Sequence, residues 1–323
     1  MQIINTITDM HAWTAQARVQ GHTVGLVPTM GCLHNGHTEL FKEARKNNSR
    51  VVASIFVNPL QFRQDAYEKY PRRLDADIQI AESFGLDAVF APSTAEMYPH
   101  APSTDWLFTL HDDPSYPRHQ TKFVSHHIGQ DNATNYIRVP SRLVMKMDGQ
   151  KHPWHFDGVA TVVNQLFNII NPHRAYFGQK DIQQIAILQA MNDWNESTID
   201  LVEVPIVRDT DGLALSSRLV LLNDAERSIV IEVTKRIAQH ATVSSANTQA
   251  NTQANTQHAQ ALIKDLQSDI QSIQTHENTL VIDSIECVNP ATLEPVDAIE
   301  DATILFVAYL INGIRLTETR PFA

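Results

Sequence analysis

Short β-rich apolar runs alternate with helical segments over the first two thirds of this chain, and no other feature restricts the fold as much. "TVGLVP" reads as a buried strand, "HTELFKEARKN" puts Leu40, Phe41 and Ala44 on one helical face, and "RVVASIFV" is a strand ended by Asn58-Pro59. "LDADIQIAESF" is an amphipathic helix and "DAVFAP" a strand. "GVATVVNQLFNII" is a buried helix stopped by Asn171-Pro172, followed by strand "AYFG", helix "DIQQIAILQAMNDW" and strand "DLVEVPIV". Such alternation builds βαβ units and a parallel sheet, so the expected class is α/β with helices on both faces. Residues 100–153, rich in Pro, His, Asp and Ser, break the rhythm and read as irregular.

After Val207 the character changes. Asn223 is a plausible N-cap for the helix that follows. Residues 246–257 are three copies of the tetrapeptide ANTQ, too short for a solenoid and too polar to bury a face, and read as an exposed helix extension or a linker. A helix near 258–275 and strands near 279–288 and 303–316 complete a small α+β domain. A length of 323 residues suits two domains, expected at 1–206 and 207–323.

The net charge of −11 argues against a broad nucleic-acid-binding face and leaves room for a small basic pocket. The two cysteines, Cys32 and Cys287, form no disulfide framework and suit a reducing compartment. The N-terminal stretch lacks the basic and apolar regions of a secretory signal, and no run approaches the roughly 18–20 apolar residues of a membrane helix. A cytoplasmic protein is expected.

Four polar clusters carry the chemistry. In "PTMGCLHNGH", His34 and His37 lie three apart where a strand passes into a helix. A helix N-terminus offers N–H groups and partial positive charge to an anion. Gly31 and Gly36 permit a tight turn, and the imidazoles add donors where charge develops. The loop supplies no further metal ligands, so a phosphate cradle is expected and a metal site is not. "VNPLQF" puts Asn58 and Gln61 past a strand's C-terminal end, where open α/β sheets bind ligands. "FGQKDIQQ" puts Lys180 and Asp181 at a helix start with Gln184 one turn on: a phosphate charge, and a carboxylate for a cap, ribose or metal. "DGLALSSRL" offers two hydroxyls and an Arg fork suited to a triphosphate. Alone, "VNPLQF" and "DGLALSSRL" read as ordinary polar turns, and "FGQKDIQQ" reads equally as a capped helix start with a surface lysine; together with the histidine loop they point to a site for phosphates and a small polar acid. Neither the Walker A nor the G-x-G-x-x-G pattern occurs.

With these residues in view, the chain resembles the pantoate–β-alanine ligase family along nearly its whole length. "PTMGCLHNGH" is similar to that family's P-T-M-G-x-L-H-x-G-H signature. "SIFVNPLQF", Tyr70-Pro71-Arg72, "HFDGV", "FGQKDIQQ" and "VPIVRDTDGLALSSR" follow in family order. The first motif by itself would mark only the wider H-x-G-H nucleotidyltransferase superfamily. The resemblance implies a Rossmann-like N-terminal domain, a smaller C-terminal lid and a homodimer. It implies condensation of ATP, (R)-pantoate and β-alanine to pantothenate, AMP and pyrophosphate with Mg²⁺, through pantoyl adenylate.

The resemblance also assigns residues. His34 and His37 contact phosphates, with His37 the proton donor, and the ATP loop comprises Met30, Gly31, Cys32, Leu33, His34, Asn35, Gly36 and His37. Gln61 and Gln184 hold pantoate, Gln61 also lying near β-alanine. Gly178, Gln179, Lys180, Asp181 and the Val207 backbone hold adenosine and phosphates; Leu215, Ser216, Ser217 and Arg218 cover the triphosphate. There are departures. His152 replaces a usual Arg, with Lys151 beside it; Gln165 replaces a common Lys, Leu215 a Met and Leu219 an Asn; residues 104–147 are longer than typical. Two other classes compete: a different H-x-G-H transferase, against which "VNPLQF" and "FGQKDIQQ" weigh, and a metal binder built on the 15 histidines, which lack repeated ligand spacing.

Overall fold

The computed structural model describes residues 1–113, 120–128, 134–249, 259–273, 278–300 and 302–322. They form two compact units. The first comprises Met1–Met145, Gly149–Gln179 and Ile187–Pro205; the second comprises Ile206–Ala323 with two short pieces, Lys146–Asp148 and Lys180–Ala186. The second unit thus gathers residues from either side of the sequence boundary expected near 206.

The first unit begins with β1 (Gln2–Ile4), α1 (Ile7–Val19), β2 (Val24–Thr29), α2 (Asn35–Asn47) and β3 (Arg50–Ile55), then a 3₁₀ turn at Pro59–Gln61. Next come α3 (Gln64–Lys69), α4 (Leu74–Ser83), β4 (Ala88–Phe90), α5 (Thr94–Met97), α6 (Thr104–Thr109), β5 (Val124–Ile128), β6 (Thr134–Arg138), α7 (Ser141–Val144), α8 (Pro153–Ile170), β7 (Arg174–Gly178), α9 (Ile182–Trp194), of which Ile187 onward belongs to this unit, and β8 (Asp200–Val204). Six of the strands pair in parallel in the order β1-β4-β3-β2-β7-β8.

Successive strand residues face opposite sides, and here both sides are buried. Val27, Val51, Ala53, Val89 and Tyr176 join Leu40, Phe41 and Ala44 of α2 and Ala81 of α4 in one core. Their strand neighbours Leu26, Val52, Ala88 and Ala175 are fully buried on the other side, where α1 and α8 pack together and against β2. That is why these strands read as continuous apolar runs.

The 100–153 stretch is more ordered than its composition indicates. α6 and the antiparallel β5–β6 hairpin lie within it. Its anchor is a buried ion pair: Arg138 Nη1 lies 2.7 Å from Asp157 Oδ2, each side chain 1% exposed. The other Asp157 oxygen accepts the Val139 N–H at 2.9 Å, and Arg138 Nη2 donates to the Leu110 carbonyl at 3.0 Å. A charge pair buried this far from its apolar neighbours in sequence leaves no periodic trace.

The second unit contains α10 (Asp224–Gln249), α11 (Ala259–Gln271) and an antiparallel sheet of β9 (Leu280–Val288), β10 (Ile304–Ile311) and β11 (Ile314–Pro321) in the order β11-β10-β9. The expected strand near 303–316 is therefore two, joined by Asn312 and Gly313, both left-handed at φ 47° and 83°. Asn-Gly is the usual two-residue hairpin signal. Asn223 does cap α10, accepting the Glu226 N–H at 3.0 Å while Glu226 accepts the Asn223 N–H at 2.9 Å. The first ANTQ copy lies on the α10 backbone; residues 250–257 of the repeat lie outside the described residues.

Removing one partner of the Arg138–Asp157 pair strands a buried charge. Asp157→Leu should lower stability in chemical denaturation by about 3–5 kcal/mol, and adding Arg138→Met should recover most of the loss. A single variant as stable as the parent would contradict this account.

Candidate active site

The strand order reverses between β2 and β7, whose helices depart to different sides. In doubly wound sheets the crevice outside the strand ends at such a reversal is where ligands bind. The chain leaves β2 through "PTMGCLHNGH" and leaves β7 at Gly178 and Gln179.

The loop after β2 is built for a tight approach. Gly31 and Cys32 are consecutively left-handed, at φ 80° and 52°. Cys32 and Leu33 donate their N–H groups to the two oxygens of Asp77 at 2.9 and 2.8 Å. Asp77 belongs to α4 and is 2% exposed. A Cβ on Gly31 would come within 2.7 Å of the same carboxylate. The Gly31 N–H donates to Thr29 Oγ1 at 3.2 Å. The Cys32 side chain is buried, and burial pushes its thiol up.

The two histidines serve as the caps of α2. His34 Nδ1 accepts the Gly36 N–H at 3.1 Å, and His37 Nδ1 accepts the His34 N–H at 3.2 Å. This is a capping box with imidazoles in the places usually held by Ser or Thr and by Glu or Gln. A nitrogen that accepts carries no proton, so both neutral rings hold theirs on Nε2. The rings lie 4.1 Å apart between centroids. Two imidazoles are thereby set side by side at a helix N-terminus. Asn35 is exposed, and Met30, Leu33 and Gly36 are half-buried beside them.

After β3 the 3₁₀ turn carries Gln61, which is 6% exposed. Its Nε2 donates to Met30 Sδ at 3.0 Å, so the two predicted residues meet. Asn58 caps the turn through the Leu60 N–H at 3.2 Å, and its Nδ2 donates to Gln61 Oε1 at 3.1 Å and to the Gly158 carbonyl at 3.0 Å. Tyr98 donates its hydroxyl to Asn58 Oδ1 at 2.7 Å. His155 Nδ1 is 2.9 Å from the Gln61 carbonyl, which makes it the donor. α8 meets the turn with bare backbone: a Cβ on Gly158 would lie 2.2 Å from the Leu60 carbonyl oxygen.

The remaining predicted residues lie in the second unit. Lys180 Nζ is 3.1 Å from Asp181 Oδ1 and 3.2 Å from Thr317 Oγ1. Gln184 is half-buried in the first turn of α9, while its neighbour Gln183 is buried and donates to the Lys146 carbonyl at 2.8 Å. The Val207 carbonyl accepts the Leu215 N–H at 3.0 Å. Ser216 caps the 3₁₀ turn Ser217–Leu221 by accepting the Arg218 N–H at 3.3 Å, and Arg218 Nη1 donates to the Arg315 carbonyl at 3.1 Å.

The description pantoate-beta-alanine ligase belongs to a family model that matches residues 2–320. The chain belongs to that family. It is 36% identical to the pantothenate synthetase of Acetivibrio thermocellus and 35% identical to that of Fervidobacterium nodosum, with 98% of each chain covered in both cases. Among solved structures it is similar to pantothenate synthetase from Thermus thermophilus, at TM-score 0.79 and 29% identity over 100% of this chain and 99% of that one. The pantoate-beta-alanine ligase of Francisella tularensis, solved with beta-gamma ATP and beta-alanine, matches at TM-score 0.70 and 25% identity, covering 100% and 98%. Family membership makes the chain a ligase that forms a C–N bond.

Sequence reading missed Asp77, Tyr98, His155 and Gly158, which shape the two loops of the first unit. Asp77 sits in the first turn of a helix that otherwise reads as amphipathic, and an acidic residue there passes for a favourable helix start. The departures also have places. His152 is the residue before α8 and meets the edge of Trp154, with ring centroids 5.8 Å apart. Gln165 donates to the Met97 carbonyl, tying α8 to α5.

Asp77→Ala should leave the Cys32 and Leu33 N–H groups without their acceptor. Stability should fall by about 1–3 kcal/mol, and amide exchange at Cys32 and Leu33 should quicken. Unchanged exchange at both would remove Asp77 from its assigned task.

Proposed function

We infer that the chain joins pantoate to β-alanine with cleavage of ATP to AMP and pyrophosphate, by way of pantoyl adenylate. The observation that carries this reading is the pair of imidazoles held through Nδ1 in the α2 cap, next to the sheet's reversal. Adenylation needs charge stabilisation on transferring phosphates more than it needs a covalent intermediate with the protein. A pantoate carboxylate oxygen attacks the α-phosphorus and pyrophosphate leaves. The β-alanine amine then attacks the acyl carbon, AMP departs, and the amine loses its proton.

In this reading His34 and His37 donate from Nε2 to phosphate oxygens, with His37 nearest the bond that breaks. Gln61 and Gln184 orient pantoate, and Met30 packs against the Gln61 carboxamide. Gly178, Gln179, Lys180, Asp181 and the Val207 backbone hold the nucleotide, and Leu215, Ser216, Ser217 and Arg218 meet its triphosphate. Mg²⁺ would supply phosphate neutralisation: the Asp181 carboxylate, 53% exposed, is an oxygen donor of the type Mg²⁺ takes alongside substrate phosphates. The family resemblance further supports a homodimer working in the cytoplasm. Among the described residues no helix is long and apolar enough to cross a membrane.

The decisive assay is exchange of labelled pyrophosphate into ATP with and without pantoate, followed by AMP release on adding β-alanine. Folded protein without pantoate-dependent exchange would overturn the reading. His37→Ala should slow adenylation about 10²–10⁴-fold, the range for losing an acid or oxyanion donor; a loss below tenfold would release His37 from its role.

A further inference from the structure

We propose that the extended 104–147 segment supplies a positioning residue, His111, which fixes the turn that presents Gln61. The proposal rests on the reading of Gln61 as a pantoate contact.

A single 3₁₀ turn cannot hold itself. Pro59–Gln61 has one closing bond of 3.3 Å, from the Gln61 N–H to the Asn58 carbonyl, and another of 3.2 Å from the Phe62 N–H to the Pro59 carbonyl. Short 3₁₀ pieces have poor hydrogen-bond geometry, so outside contacts decide where their side chains point. One of those contacts is His111, which is fully buried, with Nε2 3.0 Å from the Leu60 carbonyl. The carbonyl can only accept, so His111 donates. The Leu60 carbonyl is also the group that α8 approaches through Gly158. It is therefore held between a bare helix backbone and a donated hydrogen bond.

His111 is itself held by aromatic rings. Its ring stacks on Trp154, with centroids 4.8 Å apart and planes at 29°, and meets Phe108 edge-on at 6.4 Å. Arg63 lies over Trp154 at 5.0 Å and pairs with Asp112 at 2.6 Å. On the other side of His111 in sequence, the Leu110 carbonyl takes a hydrogen bond from Arg138 of the buried ion pair. Both chain neighbours of His111 are thus tied down, and the ring is delivered to one carbonyl. A side chain kept only to fill space would not need a donor aimed at the peptide next to Gln61.

The test uses full-length protein and pantoate-dependent pyrophosphate exchange. His111→Phe keeps a ring to stack and removes the donor. It should raise the KM for pantoate about tenfold, the scale of one positioning hydrogen bond, while the KM for ATP stays within about twofold. His111→Gln, whose amide can donate at similar reach, should restore most of the pantoate affinity. Equal shifts in both KM values, or no rescue by Gln, would reduce His111 to a structural role and overturn the proposal. Gln61→Ala runs alongside. If it leaves the pantoate KM unchanged, the Gln61 reading fails and this proposal with it; if it raises that KM while folded His111→Phe does not, this proposal alone fails. Should His111→Phe not fold, unaltered protein labelled with ¹⁵N-histidine serves. The His111 Nε2–H resonance should move when pantoate is added and stay in place with ATP alone; a resonance that ignores pantoate overturns the proposal.

Discussion

A parallel sheet whose strand order reverses must leave two adjacent strand ends whose chains depart to opposite sides. Here those strands are β2 and β7, and everything in the first unit that reads as chemistry is arranged around their ends. Both sheet faces are buried, so polar loops can only emerge at the edges, and the C-terminal edge receives the histidine loop, the Gln61 turn after β3 and the Gly178-Gln179 exit from β7. The loops stay put because buried polar side chains tie them to helices. Asp77 from α4 takes two N–H groups of one loop, and Asn58 ties another to α8.

Five histidines of this chain serve as rigid connectors, each bonding a backbone group at fixed reach. His173 Nδ1 accepts the Val24 N–H at 2.9 Å at the entrance to β2, and burial holds it below its usual range, which favours the neutral acceptor. His111 and His155 donate to consecutive carbonyls of one turn. His34 and His37 each accept a backbone N–H on Nδ1. A count of histidines cannot separate these uses, because each depends on which nitrogen meets which backbone group.

Much of the fold was legible because its signals are local. The apolar runs of β2, β3 and β7, the α2 face of Leu40, Phe41 and Ala44, and the Asn223 cap each need only a few neighbouring residues to declare themselves. β1 escaped notice: three residues at a sheet edge are too few to show a pattern. The 303–316 stretch reads as one strand because its apolar residues run on past the Asn-Gly pair that divides it. α6 and the β5–β6 hairpin stayed hidden behind polar composition, since their stability draws on Arg138 and Asp157, 19 positions apart in sequence. In the candidate site the motif residues were legible and their supports were not. Asp77 lies 45 residues from Cys32, and His155 lies 94 from Gln61.

The meeting of α8 with the Gln61 turn has a practical side. Gly158 gives that helix no side chain where it touches the Leu60 peptide, so there is no chemical variable at that position for selection or engineering to adjust. A library intended to admit a different acid would waste its diversity there. The adjustable surfaces around Gln61 are Met30, whose sulfur accepts from its carboxamide, and His155, which donates to its backbone carbonyl.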